Sequence, residues 1–148
     1  MVRMCGIGGQ FGSVTEDIGE CFLRELAHRG PDDRGDWVSQ SALLVHTRLA
    51  IIDLSEAGRQ PMEWRRDGSG EAPVVLVFNG EIYNHAELRA EMEADGESFA
   101  GHSDTEVLIR LLAREGAEAL PRLAGMFAFA YWNEETGEGM LARDAFGI

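Results

Sequence analysis

The sequence predicts an α+β fold in which strands are grouped with strands and helices with helices. Residues 74–78 and 126–132 are continuous apolar segments of strand length. Two helix starts follow in succession between them, at Asn84 and Ser103. Each is followed three residues later by a glutamate, which is the spacing of a capping box. The full order of predicted elements, β-α-β-β-α-α-β-β, favours α+β layers over a doubly wound parallel sheet.

The N-terminal part supplies the first strand and the first helix. Residues 4–11 form a short glycine-rich strand, and Thr15 caps a helix that extends to residue 27. The apolar stripe of this helix consists of Ile18, Phe22 and Leu26. Because Cys21 lies close to that stripe and free cysteine is commonly buried, we predict a core position for Cys21.

The rest of the chain alternates turn-rich loops with apolar segments. A strand at 74–78 is expected to end abruptly at Asn79, and the helix that starts at Asn84 stops near Gly96. The remaining predicted elements are, in order, a polar loop at 28–35, one long or two short strands at 41–52, a loop at 55–73, and a hairpin formed by strands at 126–132 and 139–143.

Composition excludes several classes of function. The chain has 148 residues, of which 45% are hydrophobic and 26% charged, as expected for one globular domain. Its net charge of −13 argues against nucleic acid or an anionic membrane as a partner. No segment approaches the roughly 20 apolar residues of a membrane-spanning helix, and two cysteines and four histidines show neither a disulfide framework nor metal-ligand spacing. We therefore predict a cytoplasmic domain without a metal.

Cys5 is the candidate nucleophile. A thiol attacks efficiently only as a thiolate, so a base must accept its proton. A cysteine that is the first residue of a chain carries its own base, because an α-amine has a pKa of about 7.7–8.0. Four residues, Met1-Val2-Arg3-Met4, precede Cys5 in this sequence, so its nitrogen is an amide unless they are removed.

Further polar residues could complete a site for an amino acid. Asn79 and Gly80 could supply two N–H donors to an oxyanion, although Asn-Gly is also a common turn. Arg48 is a lone cation in an apolar segment and could bind a substrate carboxylate, or form an ion pair with an acid such as Asp53. Glu81 and Asp104 could bind an ammonium group, although an acid in a first helical turn such as Asp104 is also favoured by the helix dipole.

Seven segments carry a resemblance to a known family. They are MCGIGG (4–9), HRGPDD (28–33), HTRLAIIDLS (46–55), FNGEIYNH (78–85), SDTEV (103–107), GMFAFAYW (125–132) and ARDAFGI (142–148). In this order and spacing, the chain resembles the N-terminal glutaminase domain of glutamine-hydrolysing asparagine synthetases. These domains are class II glutamine amidotransferases among the N-terminal nucleophile (Ntn) hydrolases. The resemblance implies a four-layer αββα sandwich of two antiparallel sheets, and hydrolysis of glutamine to glutamate and ammonia through a γ-glutamyl thioester.

The resemblance also implies a role for each matching residue. Cys5 is expected to be the nucleophile, with its free amine as general base, and Asn79 and Gly80 the oxyanion hole. Arg48 is expected to bind the α-carboxylate of glutamine, and Glu81 and Asp104 its α-ammonium. The backbone that is expected to line the glutamine pocket belongs to Leu49, Ala50, Ile51 and Ile52.

The two ends of the chain depart from the family pattern. Residues 1–4 are expected to be a leader or a misassigned start: translation begins at Met4, or the leader is cut off, or it persists and the domain is inactive. Residues 5–148 are expected to be a C-terminally incomplete glutaminase domain, whose synthetase domain, with ATP and Mg²⁺, is absent. No cofactor is expected in the glutaminase domain itself. The uncovered sheet edge that truncation leaves is expected to favour pairing of two copies as a homodimer. The alternative function is a non-catalytic glutamine-binding or interaction module in which Cys5 is blocked.

Overall fold

Two antiparallel sheets face each other in the computed structural model, which describes residues 5–15, 17–49, 58–65 and 72–147. The first sheet has the strand order β1-β3-β2, and the second has the order β4-β5-β6-β7. The strands are β1 (Gly6–Phe11), β2 (Asp33–Val38), β3 (Ala42–Arg48), β4 (Met62–Trp64), β5 (Val74–Ile82), β6 (Gly125–Asn133) and β7 (Glu138–Arg143). The helices are α1 (Ile18–Leu26), α2 (His85–Ala94), α3 (Asp104–Glu115) and a 3₁₀ helix (Gly116–Arg122).

Side-chain alternation along the strands creates four layers. In β3, Ala42 and Leu44 pack between the sheets against β5 and β6, whereas Leu43 and Val45 point to the other face and pack against α1. The outer face of the second sheet buries a larger cluster against α2 and α3. The order α1, first sheet, second sheet, α2 with α3 confirms the predicted αββα sandwich.

The alignment of the two sheets places the C-terminal ends of β3 and β5 at the same end of the sandwich. The ring of Phe11, opposite Ala42 in the first sheet, stacks on that of Trp132, opposite Val75 in the second, with ring centroids 5.2 Å apart. A second contact sets the direction, because the carbonyl oxygen of Gln60, whose side chain accepts a hydrogen bond from the Phe78 N–H, lies against Gly35, the partner of His46. The direction from Ala42 to His46 along β3 therefore matches the direction from Val75 to Phe78 along β5. As a result, the far ends of β3 and β5 lie at the same end of the sandwich.

The helix starts differ in part from the sequence predictions. The N-cap of α1 is Asp17 rather than Thr15, and the predicted core position of Cys21 is wrong because Cys21 is exposed. The apolar stripe of α1 turns towards β3, which leaves Cys21 on the solvent side. The cap of α3 is as predicted, since Ser103 Oγ accepts a hydrogen bond from the backbone N–H of Glu106. Asn84 precedes α2 as predicted, but its side chain makes no cap hydrogen bond.

Three strand predictions also require correction. The loop predicted at 28–35 overlaps β2, which is rich in polar residues and is ordered by pairing with β3. The loop predicted at 55–73 contains β4, which has only three residues and is ordered by pairing with β5. The strand predicted to end at Asn79 continues to Ile82, because β6 pairs with it along its whole length. The hairpin of β6 and β7 is confirmed. None of the described helices is long and apolar enough to cross a membrane.

Candidate active site

Cys5 lies immediately before β1, at the end of the sandwich that the β3 and β5 ends share. The antiparallel register pairs Gly6 with Thr47, so one further step sets Cys5 opposite Arg48. The backbone N–H of Leu49 donates a hydrogen bond to Cys5 Sγ at 3.4 Å, and Sγ lies 3.9 Å from the carbonyl oxygen of Leu49. The predicted nucleophile is thus partly buried and held by the strand that carries Arg48.

Arg48 is buried on the inner face of the first sheet. It follows Ala42 and Leu44 at two-residue intervals, so its side chain is on the face that meets the second sheet. Asp33 of β2 is opposite Arg48 and forms an ion pair with Arg59, with 3.0 Å between Asp33 Oδ2 and Arg59 Nε. The predicted carboxylate-binding cation and the predicted nucleophile therefore occupy adjacent strands at the same level.

His46 is a buried titratable residue beside these groups. It is 2% exposed, and it lies two residues before Arg48 on the same face of β3. Burial, with the Arg48 charge as a second cause, lowers the pKa of His46 to about 4, against a smaller opposite effect of Asp33. Within the described ranges, Nε2 of His46 has no hydrogen-bond partner. The imidazole is thus neutral at pH 7.

Arg29 is a site residue that the sequence analysis missed. Its Nε donates a hydrogen bond to the backbone carbonyl oxygen of Cys5 at 3.1 Å, which anchors the main chain of the candidate nucleophile. The next residue, Gly30, lies so close to Thr47 that an added Cβ would be 2.3 Å from its carbonyl oxygen. Both residues belong to the HRGPDD segment, which carries the family resemblance. Nothing in that segment indicated that Arg29 contacts Cys5.

Asn79 and Gly80 lie within β5 and not in a turn, which excludes the alternative of a simple Asn-Gly turn. They pair with Ala128 and Phe127 of β6. Asn79 follows Val77 by two residues, so it lies on the face of the second sheet that packs against the first sheet. Cys5 and Arg48 lie on the facing side of the first sheet. Gly80 has φ of +145°, and a Cβ there would lie 2.1 Å from the carbonyl oxygen of Met126. Only glycine allows this close approach of the two strands.

The two candidate carboxylates lie beyond Gly80. Glu81 is exposed near the end of β5. Asp104 is the first residue of α3, and its Oδ2 accepts a hydrogen bond from the backbone N–H of Ile82 at 3.0 Å. This contact places the start of α3 at the end of β5, so both carboxylates lie near Asn79 and Gly80.

The arrangement as a whole has the chemistry of an amino-acid site. The structure brings together six of the predicted residues at one end of the sandwich: Cys5, Arg48, Leu49, Asn79, Gly80 and Glu81, with Asp104 at the adjoining helix start. Met4, Ala50, Ile51, Ile52 and Asp53 lie outside the described residues. In the part of the chain that the structure describes, no group of three His, Cys, Asp or Glu side chains could hold a metal ion.

Comparisons with known proteins found relatives that are 37–40% identical to this chain. Asparagine synthetase B [glutamine-hydrolyzing] of Escherichia coli is 40% identical over 150 residues, which cover 98% of this chain and 26% of the relative. Asparagine synthetase [glutamine-hydrolyzing] 3 of Bacillus subtilis is 37% identical over 150 residues, covering 98% of this chain and 24% of the relative. The amidase chry2 of Gibberella zeae is 39% identical over 144 residues, covering 96% and 20%. The chain thus spans about a quarter of the length of these relatives.

Solved structures support the same fold. Glutamine phosphoribosylpyrophosphate amidotransferase from B. subtilis, in complex with ADP and GMP, has a TM-score of 0.60 and 24% identity, covering 98% of this chain and 32% of that one. A structure of the allosteric regulatory enzyme of purine biosynthesis has a TM-score of 0.56 and 26% identity, covering 96% and 31%. The family model described as a glutamine amidotransferase domain matches residues 4–148. Together with the motifs and the αββα sandwich, this match shows that the chain belongs to the glutamine amidotransferase domain family.

Proposed function

We propose that this domain hydrolyses the side-chain amide of L-glutamine, with Cys5 as the nucleophile. The observation that carries the proposal is the position of Cys5 directly opposite Arg48, at the end of the sandwich where Asn79 and Gly80 also lie. An α-amino acid needs a cation for its carboxylate and acids for its ammonium group, and both are present around one thiol. The proposed reaction needs no metal or cofactor in this domain.

The charged residues orient the substrate. Arg48 binds the α-carboxylate of glutamine, and Glu81 and Asp104 bind its α-ammonium. Leu49 contacts the sulfur of Cys5 and lines the pocket for the side chain. These contacts hold both ends of the amino-acid backbone, so the side-chain amide carbon is directed to the thiol. Holding the amide carbon next to the thiol makes the attack effectively unimolecular, which is a major contribution to the rate.

The chemistry proceeds through a thioester. The α-amine of Cys5 accepts the thiol proton, and the thiolate attacks the amide carbon of glutamine. The oxygen that becomes negative accepts hydrogen bonds from the Asn79 side chain and the Gly80 N–H. Collapse breaks the C–N bond, and ammonia leaves with a proton from the Cys5 ammonium. Water activated by the same amine then hydrolyses the γ-glutamyl thioester to glutamate.

This mechanism requires a free amine on Cys5. Met1, Val2, Arg3 and Met4 precede it in the sequence, and their presence would convert the general base into an amide. We therefore propose that the active form begins at Cys5. In the longer protein, the ammonia would be used for an ATP- and Mg²⁺-dependent amidation by a synthetase domain, with aspartate as the acceptor.

The test compares two N-termini and two cysteine variants. Chains that start at Met1 and at Met4 are purified, their N-termini are identified by intact mass, and glutamate and ammonia release from glutamine is measured. The form with Cys5 as first residue is expected to be active, and Cys5→Ala is expected to abolish release. Cys21→Ala is the matched control, because Cys21 is an exposed cysteine on α1, and it is expected to retain full activity.

Two results would contradict the proposal. Glutamine hydrolysis that persists in Cys5→Ala would exclude Cys5 as the nucleophile. Glutamine binding without turnover, in a chain whose measured mass begins at Cys5, would instead support the non-catalytic glutamine-binding module. A diazoketone analogue of glutamine adds a direct assay, since it should modify Cys5 and leave Cys21 unmodified.

A further inference from the structure

We propose that Gln60 is a positioning residue for the oxyanion-binding N–H of Gly80, an inference that rests on the proposed glutamine hydrolysis. The side chain of Gln60 replaces a backbone partner at the end of the β4–β5 ladder. The Gln60 side chain thereby holds β5 at Phe78, just before Asn79 and Gly80. The backbone pairing of β4 with β5 stops before Gly80.

The register of β4 and β5 shows this replacement. The last pair of the ladder is Met62 with Leu76, and two further steps set Gln60 opposite Phe78. There the backbone N–H of Phe78 donates a hydrogen bond to Oε1 of the Gln60 side chain, at 2.5 Å. The carbonyl oxygen of Gln60 is directed elsewhere: it lies so close to Gly35 of β2 that an added Cβ on Gly35 would be 2.4 Å from it.

The N–H of Gly80 points to the same edge of β5 as the N–H of Phe78, because backbone N–H groups two residues apart in a strand share an edge. The partner of Gly80 on β6 supports this direction. Phe127 uses its N–H and its carbonyl oxygen for Asp144, at 3.1 and 2.8 Å, on the far side of β6. The Gly80–Phe127 pair therefore directs its backbone groups away from each other. In the described ranges, no residue of β4 pairs with β5 beyond the Met62–Leu76 pair. The Gly80 N–H therefore points to the edge of β5 just past Gln60, where β4 no longer pairs with it.

The segment that carries Gln60 also connects the two sheets. Arg59 forms its ion pair with Asp33, which lies opposite Arg48, and Gln60 packs against Gly35 of the same strand. Gln60 thus contacts the sheet of the nucleophile through its backbone and the sheet of the oxyanion donors through its side chain. Loss of the side-chain contact should displace the oxyanion donors relative to Cys5. Arg48 is on the other sheet, and Asp104 still holds the end of β5 through the Ile82 N–H, so the effect should fall on kcat more than on KM.

The experiment uses a pair of variants that differ in one acceptor atom. Gln60→Met keeps the length of the side chain but has no oxygen acceptor, whereas Gln60→Glu keeps an acceptor for the Phe78 N–H. Loss of one oxyanion donor typically costs about 10²–10³ in rate, and a displaced donor should cost part of that. We expect Gln60→Met to lower kcat for glutamine by about 10–100-fold with KM changed less than about threefold, and Gln60→Glu to retain most of kcat. Amide hydrogen exchange at Phe78 is measured in parallel and should be faster in Gln60→Met only.

Each outcome distinguishes the inference from the proposed function. Wild-type kcat in Gln60→Met, or equal losses in both variants, would overturn the positioning role. A rise in KM without a fall in kcat would also overturn it, because it would indicate a role in substrate binding. If the wild-type chain starting at Cys5 shows no Cys5-dependent hydrolysis, the proposed function is wrong, and the exchange rate at Phe78 still decides whether Gln60 holds β5. Gln60→Asn, whose amide is one methylene too short to reach Phe78, replaces Gln60→Met if that variant fails to fold, with the same expected fall in kcat.

Discussion

His46 is expected to make the stability of this domain depend on pH between 7 and 5. The residue is 2% exposed, and burial together with the nearby Arg48 charge lowers its pKa to about 4, from an ordinary value of 6.5. The folded chain therefore keeps this imidazole neutral where the unfolded chain protonates it. Because the unfolded state binds the additional proton, the free energy of unfolding falls as the pH falls from 6.5 towards 4.

The magnitude follows from the two pKa values. One proton taken up on unfolding changes the free energy of unfolding by about 1.4 kcal/mol per pH unit. For values of 6.5 and about 4, the loss between pH 7 and pH 5 is about 2 kcal/mol, and it reaches about 3 kcal/mol at pH 4. The pKa of Glu106, like that of Glu115, is lowered from 4.5 by hydrogen bonds and arginine charges that outweigh burial, so these carboxylates lose their contribution mainly below pH 5. The window from pH 7 to pH 5 thus isolates the imidazole.

The assay is urea unfolding at pH 7, 6 and 5, followed by tryptophan fluorescence and circular dichroism. His46→Gln removes the titrating group, so its stability should change by less than about 0.5 kcal/mol over the window in which the wild type loses about 2 kcal/mol. The comparison uses the slope against pH, so a lower absolute stability of the variant does not affect it. Equal slopes for wild type and His46→Gln would refute the reasoning, as would an NMR titration of the His46 ring with a midpoint above pH 6.

Two further predictions concern stability. Gly80→Ala should lower the free energy of unfolding by about 3 kcal/mol, because its Cβ would lie 2.1 Å from a carbonyl oxygen of β6. The control is Gly19→Ala in α1, where the atom nearest to an added Cβ is 3.4 Å away, and it should not lower the free energy of unfolding. Thermal denaturation compares the two variants. Glu106→Gln should cost about 2 kcal/mol, because each oxygen of the buried carboxylate accepts one backbone N–H at 2.8 Å, and the amide nitrogen that replaces one oxygen cannot accept. Glu93→Gln, on the exposed side of α2, should cost less than about 0.5 kcal/mol in the same urea titration, and similar losses in both glutamate variants would contradict the role assigned to Glu106.

Local patterns predicted the elements that local interactions stabilise. The continuous apolar segments of β5 and β6, the hairpin into β7 and the Ser103 cap of α3 are all recognisable in short stretches of sequence. Polar or short strands were missed because pairing with a distant strand, and not a local pattern, stabilises them. β4 has only three residues, too few for its pattern to distinguish a strand from a loop, and it forms because β5 offers an edge to pair with. The exposure of Cys21 was missed because a position beside an apolar stripe can fall on either side of its boundary.

The sequence by itself determined the family, the candidate nucleophile and the residue types of an amino-acid site, because motifs preserve residue identity and order. Only the tertiary structure decided which of those residues meet. Cys5 contacts Leu49, 44 residues away, through strand pairing, and Arg29 and Gln60 join the site through hydrogen bonds that no local spacing predicts. Register and sheet packing are non-local, since they depend on which strands pair and on how two sheets align. The thiol near the start of the chain becomes a site only where those alignments bring Arg48, Asn79 and Gly80 to the same end of the sandwich.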